Sequence, residues 1–102
     1  MARKTKVFDP ADYLKDEEAA TEFLRLSLET NDPRYIVHSL SIVARARGGI
    51  EKLAEQTGLP FDLLQDSLSE TGNPDLATLL RILQGLGIKL APANASEPAV
   101  AA

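Results

Sequence analysis

The stretch from Gly49 to Pro74, GIEKLAEQTGLPFDLLQDSLSETGNP, constrains this chain more than any other because its spacing is that of a helix-turn-helix. Ile50, Leu53, Ala54 and Thr57 fall at i, i+3, i+4 and i+7, which is one face of a short helix. Gly58 then supplies the left-handed residue that stops it. Pro60 suits the first turn of a second helix, where a missing N–H costs nothing, and Leu64 and Leu68 repeat at helical spacing toward the first. A small residue at Ala54 lets the two helices cross closely.

The chain has 102 residues, enough for one domain with one modest core. Its net charge is −4, so any attraction to nucleic acid must come from a local patch or from dimerisation. Cysteine is absent, which rules out a disulfide framework and a thiolate metal site and suits the cytoplasm. No apolar run is long enough for a membrane span or the core of a signal peptide, so a soluble intracellular protein without membrane association is expected.

Read in order, residues 1–8 form a basic arm carrying Arg3, Lys4 and Lys6, expected to be flexible. Residues 9–90 form the helical domain, and the Ala/Pro tail of 91–102 has too little to bury and is expected to be disordered. Asp9-Pro10 opens a short helical turn that Phe8 and Tyr13 pin to the body. Asp16 caps a longer helix with buried stripe Ala20, Phe23, Leu24, Ser27 and Leu28. Asp32-Pro33 starts the next, from Arg34 to about Arg47, where Ile36, Leu40, Val43 and Ala44 form a stripe widened by Tyr35, Val37, Ile42 and Ala46. Asn73-Pro74 is the third cap-and-proline start, and Leu76, Leu79, Leu80, Leu83 and Leu86 follow as a core row whose edge can add to a dimer interface. Gly85 and Gly87 end that helix, leaving Ile88 to Leu90 as a short extended piece that either pairs with its symmetry mate or packs down. The expected fold is all-α, with five or six helices, a Cro/cI-type helix-turn-helix and at most one short C-terminal strand.

Catalytic chemistry finds no foothold in this pattern. His38 is the only histidine and is expected to be a partly buried structural residue. Ser39, Ser41, Ser67 and Ser69 have no base in reach by spacing, and Glu17 with Glu18 reads as first-turn helix chemistry. No enzyme, metal or cofactor is expected.

Four segments together resemble one family: FDPADYL at Phe8 to Leu14, VARARGG at Val43 to Gly49, LAEQTGL at Leu53 to Leu59, and GNPDLATLLRILQGLGIKL at Gly72 to Leu90. The order and spacing are similar to those of the addiction-module antidote proteins, the HigA-like, Cro/cI-type antitoxins of bacterial toxin-antitoxin pairs. The resemblance implies a homodimer that neutralises a RelE-like toxin by direct binding and represses its own operon at an operator DNA. Phe8, Tyr13 and Phe23, in and before the helix of 16–31, are the candidate toxin contacts.

Whether the second helix reads DNA turns on its outer face, where a 100° step from Leu64 places Asp62, Gln65, Asp66 and Ser69. Between Gly49 and Thr71 stand five carboxylates, Glu51, Glu55, Asp62, Asp66 and Glu70, against Lys52 alone. Phosphates normally meet lysine and arginine, so this face is electrostatically mismatched to DNA. The family commonly carries basic and aromatic side chains where this chain has Phe61, Asp62, Gln65 and Asp66. Gln65 still suits a bidentate contact to adenine. Lys52 within the unit and Arg45, Arg47, Arg81 and the N-terminal arm outside it are the basic groups available to hold the DNA backbone, and Ser69 on the outer face is a further candidate contact. The alternative expectation is a helix-turn-helix kept for protein interaction only.

Overall fold

A computed structural model describes residues 14–95. The described residues form five α-helices and no strand: α1 (Glu17–Glu29), α2 (Pro33–Ala46), α3 (Gly49–Thr57), α4 (Phe61–Ser67) and α5 (Leu76–Gly85). The arm of residues 1–8, the turn at Asp9-Pro10, Phe8, Tyr13 and the tail from residue 96 lie outside the described residues. No helix among the described residues is long and apolar enough to cross a membrane.

Helix starts follow the capping chemistry closely. The Asp16 carboxylate accepts from the Ala19 amide at 3.1 Å, and the Asp32 carboxylate accepts from Arg34 N at 3.1 Å with Pro33 in the first turn. The third start departs from expectation, since Asp75 rather than Asn73 caps α5. Its carboxylate accepts from Thr78 N at 2.8 Å, which holds the Asp75 acid below the ordinary aspartate range. Asn73-Pro74 therefore belongs to the approach rather than to the helix. Pro60 likewise stands one position earlier than expected, as the extended residue before α4.

The helices pack in chain order, α1 on α2 and α2 on α3, with α3 central to both α4 and α5. Leu14, Leu24, Leu40, Val43, Leu53, Leu64 and Ile82 are sealed from solvent at their centre. The leucine row of α5 divides: Leu83 and Leu86 are buried with Ile82, whereas Leu76 is 67% and Leu80 45% exposed. Tyr35 is also exposed rather than part of a buried stripe, and His38 is exposed rather than partly buried. Each of these side chains lies just outside the arc that α2 or α5 presents to its neighbours.

The stretch from Ile88 to Leu90 forms no strand, and the end of α5 turns Ile88 inward. Gly87 adopts φ 77°, its amide donates to Gln84 O at 3.0 Å, and Ile88 N donates to Leu83 O at 2.9 Å. These are the two bonds of a Schellman cap, whose usual companion is the packing that Ile88 makes against the core. Ile88 thus packs down, whereas Lys89 and Leu90 stay exposed.

Two buried hydroxyls join α1 to α2. Ser27 donates to Phe23 O at 3.0 Å and shares a 2.6 Å hydrogen bond with the Ser39 hydroxyl, both residues being almost fully buried. Replacing one partner strands the other in an apolar setting, which costs about 1–3 kcal/mol. Ser39→Ala and Ser27→Ala should each lower stability by roughly that amount. The double variant should lose clearly less than the sum of the two, as read by urea denaturation.

Candidate functional site

The α3–α4 pair is joined by a turn of three residues, each held differently. Gly58 adopts φ 76°, a left-handed conformation that glycine enters without a Cβ penalty, and its amide donates to Ala54 O at 2.9 Å. Thr57 is buried. Its hydroxyl donates to Leu53 O at 2.8 Å and accepts from Leu59 N at 3.1 Å, so one side chain bridges the end of α3 and the start of the turn. Leu59 packs partly into the core. From α5, Arg81 donates through Nη2 to the Thr57 carbonyl oxygen, closing the turn from behind. A cation there also suits the negative end of the α3 dipole.

Arg81 is thus engaged with the turn through Nη2, a contact that its charge alone did not foretell. Leu53, Leu64 and Leu68 are buried between the helices as the spacing predicts, and α4 presents Phe61, Asp62, Leu63, Gln65 and Asp66 to solvent. Phe61 is 41% and Leu63 40% exposed, an apolar pair among the carboxylates.

Gln65 is thus exposed on α4, and Ser69 sits half-buried at its exit with its hydroxyl donating to Asp66 O at 2.8 Å. At the α2–α3 corner the structure brings Arg47 and Lys52 together around Gly48, against which the Lys52 stem lies so closely that a Cβ on Gly48 would stand 2.9 Å from it. Arg45 is exposed in the last turn of α2. Arg47 is the C-cap of that helix, half-buried, with Nη1 sealed from solvent and no hydrogen-bond partner.

Phe23 belongs to a different surface, a groove of about 470 Å³ bounded by α1 and α2 and lined by Phe23, Leu26, Ser27, Thr30, Asp32 and Tyr35. Beside it, Arg25 pairs with Glu22 and, at 3.1 Å, with Glu29, and the guanidinium holds the Glu22 carboxyl below its usual range. Leu26, Leu63 and Tyr35 are surface residues that the sequence reading missed. For Leu26 and Leu63 the signal was phase: each is a leucine standing next to, rather than on, the buried stripe of its helix.

These features define a small all-helical protein in which two short helices, joined by a side-chain-pinned turn, are backed by a third. The chain belongs to the addiction-module antidote family: residues 4–94 match the family described as "Probable addiction module antidote protein". It is similar to an uncharacterized protein of Haemophilus influenzae, 32% identical over 89 residues that cover 87% of this chain and 91% of that one. No solved structure gives a significant match. The family is one of antidotes, not enzymes.

The Arg81 contact can be tested directly. Arg81→Ala should cost about 1 kcal/mol in urea denaturation, the size of a hydrogen bond to a charged group after allowance for the exposure of this side chain. Amide exchange should quicken in residues 58–68 ahead of the α1–α2 hairpin, and unchanged exchange there would remove the role assigned to this arginine.

Proposed function

We propose that this protein is an antitoxin that neutralises a RelE-like toxin by direct binding and represses its own operon through α3 and α4, acting in the cytoplasm as a homodimer. Membership of the antidote family supports the first activity. The observation that carries the second is the pinned turn, which fixes α4 as a projecting helix with Gln65 on its exposed side. In a Cro/cI-type reader such a helix enters the major groove. Leu76 and Leu80, one turn apart and exposed on α5, supply an apolar face for pairing two copies. Arg45, Arg47 and Lys52 at the α2–α3 corner supply the cations for the DNA backbone.

A specific observation favours a second reading, in which α4 serves a protein partner and DNA binding has been lost. The α3–α4 unit carries four carboxylates, Glu51, Glu55, Asp62 and Asp66, against Lys52, and Phe61 and Leu63 add an apolar patch to α4. Phosphates avoid such a face and basic proteins favour it.

Gel shifts on the protein's own upstream DNA at two salt concentrations separate the two. If α4 reads DNA, Asp66→Lys should tighten binding to all sequences and steepen the salt dependence by about one unit of slope per protomer. Gln65→Ala should weaken the cognate site alone, by about 1–3 kcal/mol. No shift at low salt from a verified dimer decides for the protein-only reading. Neutralisation is tested by co-expression with the product of the adjacent open reading frame, and unrelieved toxicity, or an adjacent product without toxicity, removes the antitoxin assignment.

A further inference from the structure

Carboxylates are unevenly spread along this chain. It has 15 aspartates and glutamates, yet none stands between Asp32 and Glu51, a span that covers the whole of α2 and contains Arg34, Arg45 and Arg47. The helix turns Val37, Leu40, Val43 and Ala44 inward. At about 100° and 1.5 Å per residue, Arg34 and Arg45 lie within about 20° of one line and about 16 Å apart along the axis, with His38 and Ser41 between them. Arg34, His38 and Arg45 are exposed and Ser41 is half-buried. The outer side of α2 is therefore a basic ridge with no large apolar side chain on its crest. At the corner beyond its end, Lys52 is exposed as well.

Arg34 is the informative member. It stands in the first turn of α2, where the positive end of the helix dipole disfavours a cation, whereas α1, α3 and α4 carry carboxylates in their first turns. It makes no ion pair among the described residues. The two carboxylates that share a shallow cleft with it are Asp32, committed as a cap to the Arg34 amide, and Glu70. A guanidinium set against the dipole, exposed and unpaired, does nothing for the fold.

The form of the ridge selects its ligand. Protein partners are held mainly by large side chains seated in desolvated pockets, and this crest offers no such anchor. A nucleic-acid strand presents a regular line of charge, one phosphate per about 3.4 Å of duplex axis, and is held by arginine, lysine and hydroxyl side chains.

We propose that α2 is a surface that tracks the backbone of duplex DNA, with phosphates along Arg34, His38 and Arg45 and on toward Lys52. The proposal rests on the repressor reading for the identity of the operator, but not for affinity toward duplexes of any sequence. On this arrangement α2 supplies the phosphate attraction that the acidic α3–α4 unit lacks, and Gln65 is left to supply sequence preference.

The test uses the full-length protein and two labelled duplexes, its own upstream sequence and a scrambled one of the same length and composition, by fluorescence anisotropy over a range of salt. Arg34→Gln should weaken both duplexes by the same factor and lower the salt slope by about one unit per protomer. Arg45→Gln should do the same, and Arg45→Lys should restore the slope, which separates charge from packing. Glu70→Gln, which removes a carboxylate beside the ridge, should tighten both. Lys89→Gln makes an equal change in net charge at an exposed position beyond α5 and should leave the slope unaltered. Arg34 is exposed, so circular dichroism and urea midpoints of Arg34→Gln should match the parent.

Binding whose affinity and salt slope ignore Arg34→Gln overturns the proposal, and the repressor reading stands if Gln65→Ala still weakens the upstream duplex alone. Ridge-dependent binding that is equal for the two duplexes does the reverse, keeping the ridge and removing the sequence reader. An equal response to Lys89→Gln shows attraction without a site and overturns the ridge. If Arg34→Gln spares DNA binding but dissociates a dimer in sedimentation, the ridge meets the acidic surface of a second copy and the proposal fails. No binding of either duplex at low salt overturns both readings.

Discussion

A helix of seven residues has no stability of its own, because nucleating it fixes more backbone than its few hydrogen bonds repay. α4 is such a helix, and much of the surrounding architecture supplies what it lacks. Leu64 and Leu68 anchor one side of it, Pro60 fixes its approach, and the Thr57–Leu59 turn sets its direction from α3. α5 then braces that turn through Arg81. The direction of α4 is thus a tertiary property, determined by a buried threonine, an arginine from another helix and the buried Leu64 rather than by the outward residues of α4.

The outer face of α4 and the groove between α1 and α2 both carry exposed apolar residues, yet they differ in shape. α4 projects Phe61 and Leu63 outward, whereas Leu26 and Tyr35 flank a concavity. A convex acidic helix and a concave, mostly apolar groove make different demands on whatever meets them. The first must be enclosed by its partner; the second encloses part of its partner.

Much of the fold was legible because the chain marks its own helix boundaries. Asp16 and Asp32 with Pro33 were readable as caps, Gly58 as a stop, and Leu53, Leu64 and Leu68 as an inward face, and each stands where its spacing put it. Asp75 was passed over because Asn73-Pro74 imitates the same signal two residues early. Leu76 and Leu80 misled for another reason: periodicity reports which residues share a face, but only packing partners decide how wide an arc is covered, and α5 is covered on one side by α3. Arg81 was read from its charge alone. Its acceptor lies 24 residues away in sequence, on a carbonyl with no side-chain signature. Of the candidate site, the position of Gln65 was accessible to helical geometry, whereas the groove beside Phe23 required knowing how α1 and α2 face each other.

The turn that orients α4 is built from a threonine hydroxyl, three backbone carbonyls and an arginine on another helix, with no contribution from the outward residues of α4. Folding and surface chemistry are consequently written in separate letters here. Exchanges at Asp62, Gln65 and Asp66 therefore leave the hydrogen bonds of the turn untouched, so that the chemistry of this surface can be varied while the device that aims it stays in place.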